Sequence, residues 1–532
     1  MASSEKCLFP QFEWITPEWV HGLYRCGSSS NFEAILPKPI RIVLILFVGL
    51  KVFLPKQDDL LTLAWNHMIT AFSYSLSTIL GILRENDPPS FEASGNVKTI
   101  STSSLECKSG SLFVPLRDKR DGHEFILDAL RAGASYFLCE TNHPILKKLS
   151  SEQQKKAILV KDTLIALGAL AHFHRMRFRP LVIGVTGSSG KTSTKELLGN
   201  LFQFLPKDQV VVTEKNFNNE IGVPFTLFRI NEKTKVVICE MGMNQRGEIE
   251  RLSRMANPKL GLITNIGSAH IENLKSPENI ALEKSDLMLG LQKSGVLFLP
   301  RTSPFFKLIT KRAQKNQTEI IDWDFEKDPN LKILQTYPKG FLLRYKGEEF
   351  KWNLPGRTLL SNVTGVIKVG EHLNLSKEQI INAIRTYKAP DKRLNIKKSR
   401  YLVIDDSYNA NPESMRSSIH ASIQLSNHKP LALVLGTMKE LGKFSKMYHE
   451  LIGEELRNYP EPLLVTFGEA ASAIAKKRKV GRNHSFPGDS SDIPKIVELI
   501  RETLPKGSTV LVKGSRSMKM ERIVEALLGL KT

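Results

Sequence analysis

Short apolar runs alternate with longer segments of mixed polarity along most of the chain. Such runs are typical of buried strands, and the amphipathic segments between them are typical of helices. Strands are predicted at 110–116, 136–139, 157–160, 181–185, 236–239, 260–264, 401–404, 431–435, 463–467 and 510–512. Helices are predicted at 74–80, from 125 to 134, at 163–173, after 192 and across 281–287. This alternation predicts an α/β fold.

The N-terminal stretch does not fit this alternation. An apolar run at 40–54 is flanked by charges, and its uninterrupted part is about half the ~20 residues that a membrane-spanning helix needs. It lies too deep in the chain for a standard signal peptide, which leaves a buried strand, an interfacial segment or a non-native extension. We expect residues 1–67 to be an extension of uncertain status, with Met68 near the true start, because recognisable domain sequence begins at about Phe72. The intact mass of the native protein would test this hypothesis.

Composition narrows the class of protein. At 532 residues the chain is too long for one core, so about three or four domains are predicted. The net charge of +21 is spread along the chain, which favours a lysine-rich surface serving anionic substrates over a nucleic-acid-binding surface. Five scattered cysteines without a Cys-x-x-Cys pair indicate neither a disulfide framework nor a zinc site, and they predict a cytoplasmic setting.

The segment 186–192, Thr-Gly-Ser-Ser-Gly-Lys-Thr, joins a predicted strand to a predicted helix, as in phosphate-binding loops. Gly187 and Gly190 let backbone N–H groups turn toward an anion. Lys191 can reach the β- and γ-phosphates of a nucleoside triphosphate, and the Thr192 hydroxyl can bind Mg²⁺. The segment is shorter than the common G-x-x-x-x-G-K-[ST] pattern, because a valine stands where the first glycine belongs. It still predicts triphosphate binding.

Two polar residues follow predicted buried strands in the same block. Glu240 ends the run at 236–239, and His270 comes shortly after the run at 260–264. Ligands of open α/β sheets bind at the carboxyl ends of the strands, where a phosphate held by the loop would also lie. A carboxylate and an imidazole beside ATP can complete Mg²⁺ coordination. The local pattern alone leaves a solvated loop position as an equal alternative for each residue.

A series of motifs from about Phe72 to the C-terminus resembles those of the Mur ligases, ATP-dependent enzymes that build the peptide stem of peptidoglycan. The motifs occur in order at 186–192, 216–224, 240–249, 269–270, 354–357, 405–412, 436–442 and 512–517. The forms Asp-Ser-Tyr-Asn-Ala-Asn and Lys-Gly-Ser-Arg resemble the member that adds a dipeptide. Members that add one amino acid typically carry other forms at these two places.

The resemblance implies a three-domain α/β architecture. A UDP-sugar-binding domain is expected at 68–177, a central P-loop ATPase domain at 178–391 and a C-terminal Rossmann-like ligase domain at 392–532. The implied reaction joins D-alanyl-D-alanine to UDP-N-acetylmuramoyl-tripeptide through an acyl phosphate. It requires ATP, two Mg²⁺ ions and CO₂, the last as a carbamate on Lys284. A monomer is expected, with small-molecule substrates, no nucleic acid and no stable membrane insertion.

The resemblance also implies roles for individual residues. The catalytic residues would be Lys191, Glu240, His270 and Lys284, and the metal ligands Thr192, Glu240, His270 and Lys284. Nucleotide binding would fall to Gly187, Ser188, Ser189, Gly190, Lys191, Thr192, Asn362, Arg393 and Asp406. Substrate binding would fall to Thr102, Ser104, Asn218, Asn219, Asn409, Asn411, Lys513, Ser515 and Arg516. From pattern alone, Lys284 is an ordinary helix lysine, and the polar residues at 406–411 fit an Asx-rich turn equally well.

Three departures from the family pattern keep alternatives open. The uridine motif falls on the Thr-Ser-Ser-Leu sequence at 102–105, without its usual acidic and basic members. A Thr-Leu pair at 358–359 replaces the usual His-Asn, and Lys392 replaces a glycine before Arg393. A ligase that adds one amino acid, a folylpolyglutamate synthetase relative, a non-catalytic paralogue and a nucleic-acid-stimulated ATPase stay open. The sequence does not identify the third residue of the stem peptide.

Overall fold

Strands and helices alternate through most of the computed structural model, which describes residues 70–83 and 95–530. The hypotheses on the apolar run at 40–54 and on Met68 lie outside these residues. The described residues belong to one compact unit and form four sheets. No helix in this part of the chain combines the length and the apolar character that a bilayer crossing requires.

The first sheet lies in the segment predicted to bind a UDP-sugar. Its strands are β1 Thr70–Ser75, β2 Asn96–Ser101, β3 Ser111–Phe113, β4 Tyr136–Glu140 and β5 Ala157–Val160, paired in that order. Only the β1–β2 pair is antiparallel. Its helices are α1 Leu76–Leu83, α2 Ile126–Arg131, α3 Ser151–Gln154 and α4 Thr163–Met176. The helix predicted at 74–80 begins later, at Leu76, because Tyr74 and Ser75 pair with β2 and complete β1.

Helix α4 reaches further along the chain than the sequence predicts. The basic stretch at 175–180 is predicted to be a linker, but Arg175 is buried within α4. Its guanidinium donates hydrogen bonds to the carbonyl oxygens of Ala256 and Asn257. These carbonyl oxygens lie at the C-terminal end of a helix in the next segment. Arg175 therefore caps that helix and links the first segment to the second.

The second sheet is fully parallel and carries the predicted phosphate-binding loop. Its strands are β6 Leu181–Thr186, β7 Val210–Val212, β8 Val236–Glu240, β9 Leu260–Ile263, β10 Val296–Pro300 and β11 Glu319–Trp323. The strand order is β11-β10-β9-β6-β8-β7. Every residue of β8 and β10 is buried, as expected for parallel strands covered on both faces. Because β6 lies between β8 and β9, the carboxyl ends of these three strands meet at one edge of the sheet.

Helices surround the second sheet. They are α5 Lys191–Leu201, α6 Gly222–Phe228, α7 Glu248–Ala256, α8 Ile271–Leu274, α9 Pro277–Ser285, α10 Phe306–Lys315, α11 Thr358–His372 and α12 Lys377–Arg385. A small antiparallel sheet precedes α11 and has the strands β12 Leu331–Tyr337, β13 Gly340–Tyr345 and β14 Glu348–Trp352. Its buried Phe341 and Trp352 belong to the same hydrophobic core as Val185 of β6 and Val363 of α11.

The fourth sheet forms the C-terminal segment. Its strands are β15 Asn395–Lys398, β16 Leu402–Asp406, β17 Leu431–Gly436, β18 Leu463–Phe467, β19 Asn483–Phe486 and β20 Thr509–Lys513. The order is β15-β16-β20-β17-β18-β19, with β15 antiparallel and the rest parallel. Its helices are α13 Pro412–Ser426, α14 Ser445–Glu455, α15 Ser472–Arg478, α16 Asp492–Thr503 and α17 Glu521–Leu528. The predicted boundaries at 177/178 and 391/392 fall between these sheets, and they stay predictions.

Helix α13 joins the fourth sheet to the central segment, and we call it the docking helix. Near its C-terminal end, the Gln424 amide accepts a hydrogen bond from Gly356 N–H and donates to the carbonyl oxygens of Tyr337 and Gly340. Gly356 has a φ of +94°, and a Cβ there would lie 3.1 Å from the Ala421 Cβ. The helix therefore rests closely against the small antiparallel sheet and the turn that follows it.

Candidate active site

The predicted phosphate-binding loop runs from the end of β6 into α5. Gly190 has a φ of +76°, and a Cβ on it would collide with the Asn362 amide. A Cβ on Gly187 would collide with the Thr264 hydroxyl in the same way. The close approach of neighbouring side chains requires glycine at both positions. At Gly190 the left-handed backbone requires it as well. The Lys191 ammonium folds back onto the loop and donates to the Gly187 carbonyl oxygen at 2.8 Å.

A second loop, residues 264–270 after β9, holds the phosphate-binding loop in place, and we call it the support loop. The Asn265 carboxamide accepts from Ser189 N–H at 2.8 Å and donates to the Ser189 hydroxyl at 2.7 Å. Gly267 N–H donates to the Ser188 hydroxyl at 2.8 Å. Each serine oxygen accepts one of these bonds, so the support loop orients both side chains while their O–H groups can still donate to a ligand.

Glu240 ends β8 beside the start of α5, as predicted. Its side chain is 1% exposed, and its Oε1 accepts from the Asn218 amide at 2.8 Å and from the Thr192 hydroxyl at 3.3 Å. Its Oε2 is buried and has no hydrogen-bond partner among the described residues. A buried, unpartnered carboxylate oxygen is costly unless it serves a ligand. The Asn219 side chain, by contrast, accepts from Ile221 N–H and Gly222 N–H at the start of α6.

His270 ends the support loop in a left-handed conformation with a φ of +64°. Its Nδ1 lies 2.7 Å from Oε2 of Glu440, which belongs to the C-terminal segment and also has a φ of +64°. The contact lowers the pKa of Glu440, an effect that Lys191 reinforces. Two non-glycine residues in this strained region, facing each other across two segments, are typical of functional positions.

Lys284 lies on α9 with its side chain 1% exposed. Burial lowers its pKa well below the ordinary value, and the nearby charge of Lys191 lowers it further. Its neighbour Glu283 caps α7 by accepting from the N–H groups of Gly247 and Ile249, which fixes the position of α9. The structure therefore presents Lys284 as a buried amine near the phosphate-binding loop, and a surface lysine is excluded.

A cavity of about 370 Å³ brings most of the predicted site residues together. Those that line it are Ser188, Ser189, Gly190, Lys191, Thr192, Asn218, Asn219, Glu240, His270, Asn362, Arg393, Asp406, Asn409, Asn411 and Lys513. Those that do not are Thr102, Ser104, Gly187, Lys284, Ser515 and Arg516. The central and C-terminal segments thus share one cavity.

The C-terminal wall of the cavity centres on Asp406, at the end of β16. Its Oδ2 accepts from the Lys513 ammonium and from the Ser418 hydroxyl, each at 2.5 Å. Its Oδ1 accepts from Leu394 N–H at 3.1 Å. The guanidinium of Arg393 lies 4.3 Å from the centre of the Tyr408 ring. Asp406 therefore orients Lys513 and the chain beside Arg393, and both cations face the cavity.

Two predicted substrate residues after β20 differ in how much of their side chain is free. The Ser515 hydroxyl donates to the Ala410 carbonyl oxygen at 3.3 Å and accepts from Lys439 N–H at 2.8 Å, so it holds two loops together. Arg516 is half-exposed, and its Nη1 donates to Oε1 of the buried Glu521 at 2.7 Å. Its other guanidinium nitrogens make no hydrogen bond that involves the described residues, so Arg516 keeps donors for a ligand.

The predicted uridine residues lie in the first sheet's segment, after β2. Thr102 and Ser104 are partly buried, and Leu105 beside them is 85% exposed. The Ser101 hydroxyl donates to the Ser103 carbonyl oxygen at 2.9 Å and shapes this turn. The turn offers hydroxyl and apolar groups, but no charged side chain at 102–105.

Sequence reasoning missed several residues that the structure places at the site. Glu413 and Glu440 reach it from the C-terminal segment, and Glu521 holds Arg516. Tyr387 lines the cavity and stacks on Trp352 with 5.4 Å between ring centres. Glu440 lies in a motif that the sequence singled out, so that motif was the available signal. The other three have no local signal.

Asp121, His123 and His143 form a second group of candidate metal ligands, in the first sheet's segment. His123 Nδ1 lies 2.6 Å from Asp121 Oδ1, while its Nε2 accepts from Glu140 N–H. His143 Nε2 lies 3.2 Å from Asp121 Oδ2, while its Nδ1 accepts from Ile145 N–H. Each ring therefore directs its protonated nitrogen at the carboxylate and has no lone pair left for a metal. The group is a structural hydrogen-bond network.

Replacing Asp121 with Asn is expected to lower the free energy of unfolding by about 2 kcal/mol, because charged hydrogen bonds to two histidines are lost. Partial burial would raise the pKa of Asp121, but bonds from His123 and His143 lower it to about 2. This stabilisation is therefore complete above about pH 4 and is lost as the pH falls toward 2. Urea unfolding across this range measures it. Asp128→Asn, which breaks an exposed ion pair, is the control. Equal effects of both variants would contradict the assignment.

A phosphate-binding loop at the carboxyl ends of a parallel sheet, facing a Rossmann-like domain across one cavity, is the arrangement expected of an ATP-dependent ligase. Comparison with known proteins agrees. The family model described as Mur ligase middle domain matches residues 185–370, and that described as Mur ligase, glutamate ligase domain, matches 392–516. The chain belongs to the Mur ligase family.

Individual relatives narrow this assignment. The chain is 32% identical over 434 residues to UDP-N-acetylmuramoyl-tripeptide--D-alanyl-D-alanine ligase of Bacillus subtilis, a match that covers 81% of this chain and 93% of the relative. The enzyme of that name from Synechocystis is 33% identical over 443 residues, covering 81% and 92%. Among solved structures, MurF from Acinetobacter baumannii matches with a TM-score of 0.75 at 26% identity, covering 86% of this chain and 100% of that one. MurF from Thermotoga maritima in complex with ADP matches with a TM-score of 0.69 at 28% identity, covering 81% and 97%.

Proposed function

We propose that the chain joins D-alanyl-D-alanine to UDP-N-acetylmuramoyl-tripeptide with hydrolysis of ATP, in the synthesis of peptidoglycan precursors. The observation that carries this proposal is the shared cavity, which sets Lys191 and Glu240 of the central segment opposite Asp406 and Lys513 of the C-terminal segment. The relatives named for this reaction, matched over most of their length, support the choice of substrates.

The reaction requires two anions to meet. The terminal carboxylate of the tripeptide attacks the γ-phosphate of ATP, which forms an acyl phosphate and releases ADP. The amine of the dipeptide then attacks the acyl carbon, which forms the amide and releases phosphate. Lys191 and the N–H groups at the start of α5 stabilise negative charge on the phosphates. Holding three reactants in one cavity contributes about 7–11 kcal/mol through proximity and orientation.

Nucleotide binding is proposed for the loop and for the residues around the cavity. The backbone of Gly187, Ser188, Ser189 and Gly190 surrounds the phosphates, with Lys191 and Thr192 beyond it. The rest of the nucleotide is proposed to contact Asn362 and Arg393. The Asn362 amide lies against Gly190, and the Arg393 guanidinium stacks on the Tyr408 ring. Asp406 already accepts three hydrogen bonds. We therefore propose that it contributes to nucleotide binding mainly by holding Lys513 in position.

The metal ligands are proposed to be Thr192, Glu240, His270 and Lys284 as a carbamate, around two Mg²⁺ ions. The buried, unpartnered Oε2 of Glu240 fits this role, because oxygen ligands are those Mg²⁺ prefers. Bound Mg²⁺ would neutralise charge that develops on the phosphates. The Thr192 hydroxyl, 3.3 Å from Glu240 Oε1, lies at the same position in the site.

Carbamate formation on Lys284 is a proposal that its environment supports. Only a neutral amine can add CO₂, and burial lowers the pKa of this amine well below its usual range. The nitrogen attacks the carbon of CO₂ and loses a proton, so that a neutral amine is replaced by an anion. The carbamate is attracted to Lys191, whereas an ammonium group at this position would be repelled by it.

The dipeptide is proposed to bind at the C-terminal wall, with Asn409, Asn411, Lys513 and Arg516 near its carboxylate and backbone. Ser515 would position the loop, because its hydroxyl is already bonded within the protein. Asn218 and Asn219 border the tripeptide side of the cavity. Thr102 and Ser104 are the proposed contacts of the UDP group, with hydroxyls in place of charged side chains.

Replacing Arg516 with Ala is expected to raise the KM for D-alanyl-D-alanine about 10- to 100-fold, because a charged hydrogen bond to a carboxylate contributes about 1.5–3 kcal/mol. The KM for ATP should stay within about twofold. Initial rates of phosphate release give both constants. The control is Arg522→Ala, which alters a nearby exposed arginine that bonds to Ser490. An equal rise in both KM values would contradict the dipeptide role.

The proposal is tested by phosphate release with ATP, UDP-N-acetylmuramoyl-tripeptide and D-alanyl-D-alanine, and with single amino acids in place of the dipeptide. Release that depends on the dipeptide supports the proposal. Release with single amino acids points to a one-residue ligase, and release stimulated by RNA or DNA points to a nucleic-acid-dependent ATPase. Nucleotide binding without release in any mixture indicates a non-catalytic paralogue.

The remaining expectations are proposals about the setting of the enzyme. We place it in the cytoplasm as a monomer, with small-molecule substrates, no nucleic acid and no stable insertion into a membrane. The described cysteines Cys107, Cys139 and Cys239 are free thiols, which agrees with a reducing compartment. The domain ranges 68–177, 178–391 and 392–532 are proposed as units, each with its own main sheet.

A further inference from the structure

The support loop is held from two sides. On one side, Asn265 and Gly267 bond to the two serines of the phosphate-binding loop. On the other side, the C-terminal segment reaches it through Glu413 and Glu440. Hydrogen bonds therefore connect the C-terminal segment to the phosphate-binding loop through the support loop, without involving the sheet.

Glu413 makes the main contact from the docking helix. Its Oε1 accepts from Ser268 N–H and from the Ser268 hydroxyl, each at 2.9 Å. The residue lies in the first turn of the helix, where the macrodipole favours a negative charge. Its Oε2 is buried and has no hydrogen-bond partner among the described residues. Among the described residues, the hydrogen bonds that orient this carboxylate come from Ser268 of the support loop.

The docking helix also contacts the phosphate-binding loop directly. The Asn411 amide, at the N-cap of the helix, donates to the Ser188 carbonyl oxygen at 3.0 Å. The Ser188 hydroxyl accepts from Gly267 N–H, which neighbours the residue that Glu413 holds. Asn411 and Glu413 therefore converge on Ser188, one through its carbonyl and the other through the support loop.

Gly267 leaves space for this contact. A Cβ at this position would lie 2.7 Å from each carboxylate oxygen of Glu413 and closer still to the carbon between them. Gly267 is not among the glycines with positive φ, so its backbone would accept alanine. The Glu413 carboxylate therefore occupies the space that a side chain at 267 would take, and the loop's own conformation does not require a glycine.

Resting on the proposed function, we propose that Glu413 is a positioning residue that couples docking of the C-terminal domain to the geometry of the phosphate-binding loop. When the domain docks, Glu413 fixes Ser268, which sets Gly267 N–H against the Ser188 hydroxyl. The domain that brings the amine thereby completes the site where the acyl phosphate forms. Phosphoryl transfer becomes dependent on the presence of the domain that consumes its product.

The test uses the full chain with three variants: Glu413→Ala, Gly267→Ala and the double variant. Glu413→Ala loses both bonds to Ser268, and kcat is expected to fall about 10- to 100-fold. In Gly267→Ala the new methyl group displaces the Glu413 carboxylate from Ser268 and leaves its charge without these two bonds, so kcat is expected to fall further than in Glu413→Ala. The double variant removes the displaced charge, so its kcat should recover to that of Glu413→Ala. Glu498→Ala, an exposed glutamate on α16, is the matched control and should behave as the wild type.

Small-angle scattering with a non-hydrolysable ATP analogue gives a readout that does not depend on ligation. The wild type, Glu498→Ala and the double variant should share one radius of gyration, and Gly267→Ala should be larger. If the wild type ligates no dipeptide, the proposed function fails while the scattering series still tests the coupling. Thermal unfolding identifies any variant that does not fold. Ser268→Ala, which removes one of the two bonds to Glu413, then takes the place of that variant.

The decisive result is the direction of the change when Glu413→Ala is added to Gly267→Ala. Recovery shows that Gly267→Ala acts through Glu413, and it supports the proposal when Glu413→Ala itself lowers kcat while Glu498→Ala does not. A double variant as impaired as Gly267→Ala, or further impaired, would overturn it. So would a Gly267→Ala variant with wild-type kcat and radius of gyration.

Discussion

Replacing Lys284 with Ala is expected to remove nearly all ligation, with kcat falling at least about 1,000-fold. The reason is electrostatic: in the proposed site, the modified lysine supplies a negative charge beside Lys191 at the metal position, and alanine supplies none. Folding should not prevent the measurement, because the shorter side chain removes a buried amine that makes no hydrogen bond with the described residues. Phosphate release with saturating substrates measures the loss.

The same variant offers a chemical rescue. Acetate or another small carboxylate that enters the space left by the side chain should restore part of the activity. Lys284→Arg is the control, since it keeps a cation of similar length that cannot form a carbamate and leaves no space. An alanine variant that stays active and responds normally to Mg²⁺ would contradict the assignment.

The carbamate itself can be observed directly. With ¹³C-bicarbonate, the wild type should show a carbamate carbon signal that Lys284→Ala lacks. Burial lowers the pKa of Lys284, which favours the neutral, reactive form of the amine. Acidification that reprotonates the amine should remove the signal and the activity together. A signal that persists in the alanine variant would place the modification elsewhere.

Replacing Glu240 with Gln is expected to lower kcat about 100- to 1,000-fold and to raise the Mg²⁺ concentration needed for half-maximal rate. Glutamine keeps an oxygen that accepts from Asn218 and Thr192, so the local hydrogen bonds survive. It removes the charge and replaces the unpartnered Oε2 with an NH₂ group, which cannot bind a cation. The variant therefore tests charge at the metal position rather than shape.

Glu371→Gln is the matched control for this experiment. Glu371 is partly buried and, like Glu240, is hydrogen-bonded, but its partners Tyr345, Lys346 and Lys368 lie outside the cavity. Its loss should affect unfolding while the Mg²⁺ dependence stays that of the wild type. A Glu240→Gln variant with unchanged Mg²⁺ dependence would exclude this carboxylate as a ligand.

The phosphate-binding loop was predictable because its chemistry is local. Glycine, lysine and threonine at fixed spacing between a strand and a helix carry the information within a few residues, and the structure places them there. The positions of Glu240 and His270 followed from the rule that the carboxyl ends of parallel strands meet at one edge. Fold class and family were confirmed by the family models that match residues 185–370 and 392–516 and by the similar solved structures.

Other parts of the site could not be predicted from pattern. Lys284 looks like an ordinary helix lysine, and its burial depends on how α9 packs. Glu413 contacts a loop that is distant in sequence, so no residue spacing predicts this contact. Ser515 is a different case: its position in a motif predicts a substrate contact, and the structure shows its hydroxyl bonded to neighbouring loops, so the substrate role stays a prediction.

Fold prediction failed mainly at sheet edges and segment junctions. Strands β15 and β19 have few buried residues, because edge strands pack against less of the core, and so they lack the apolar runs that reveal a strand. Arg175 looked like part of a basic linker, but its guanidinium closes the end of α7. In each case the partner that decides the structure is distant in sequence.

The three hydrogen bonds of Gln424 make one end of the docking helix a pivot. A helix rises about 1.5 Å per residue, so Glu413 lies about 16 Å along the axis from this pivot. A tilt of about 10° would move Glu413 by about 3 Å, which is enough to break both bonds to Ser268. A small rotation of the docking helix about Gln424 is thus enough to make or break the contact of Glu413 with Ser268, next to the phosphate-binding loop.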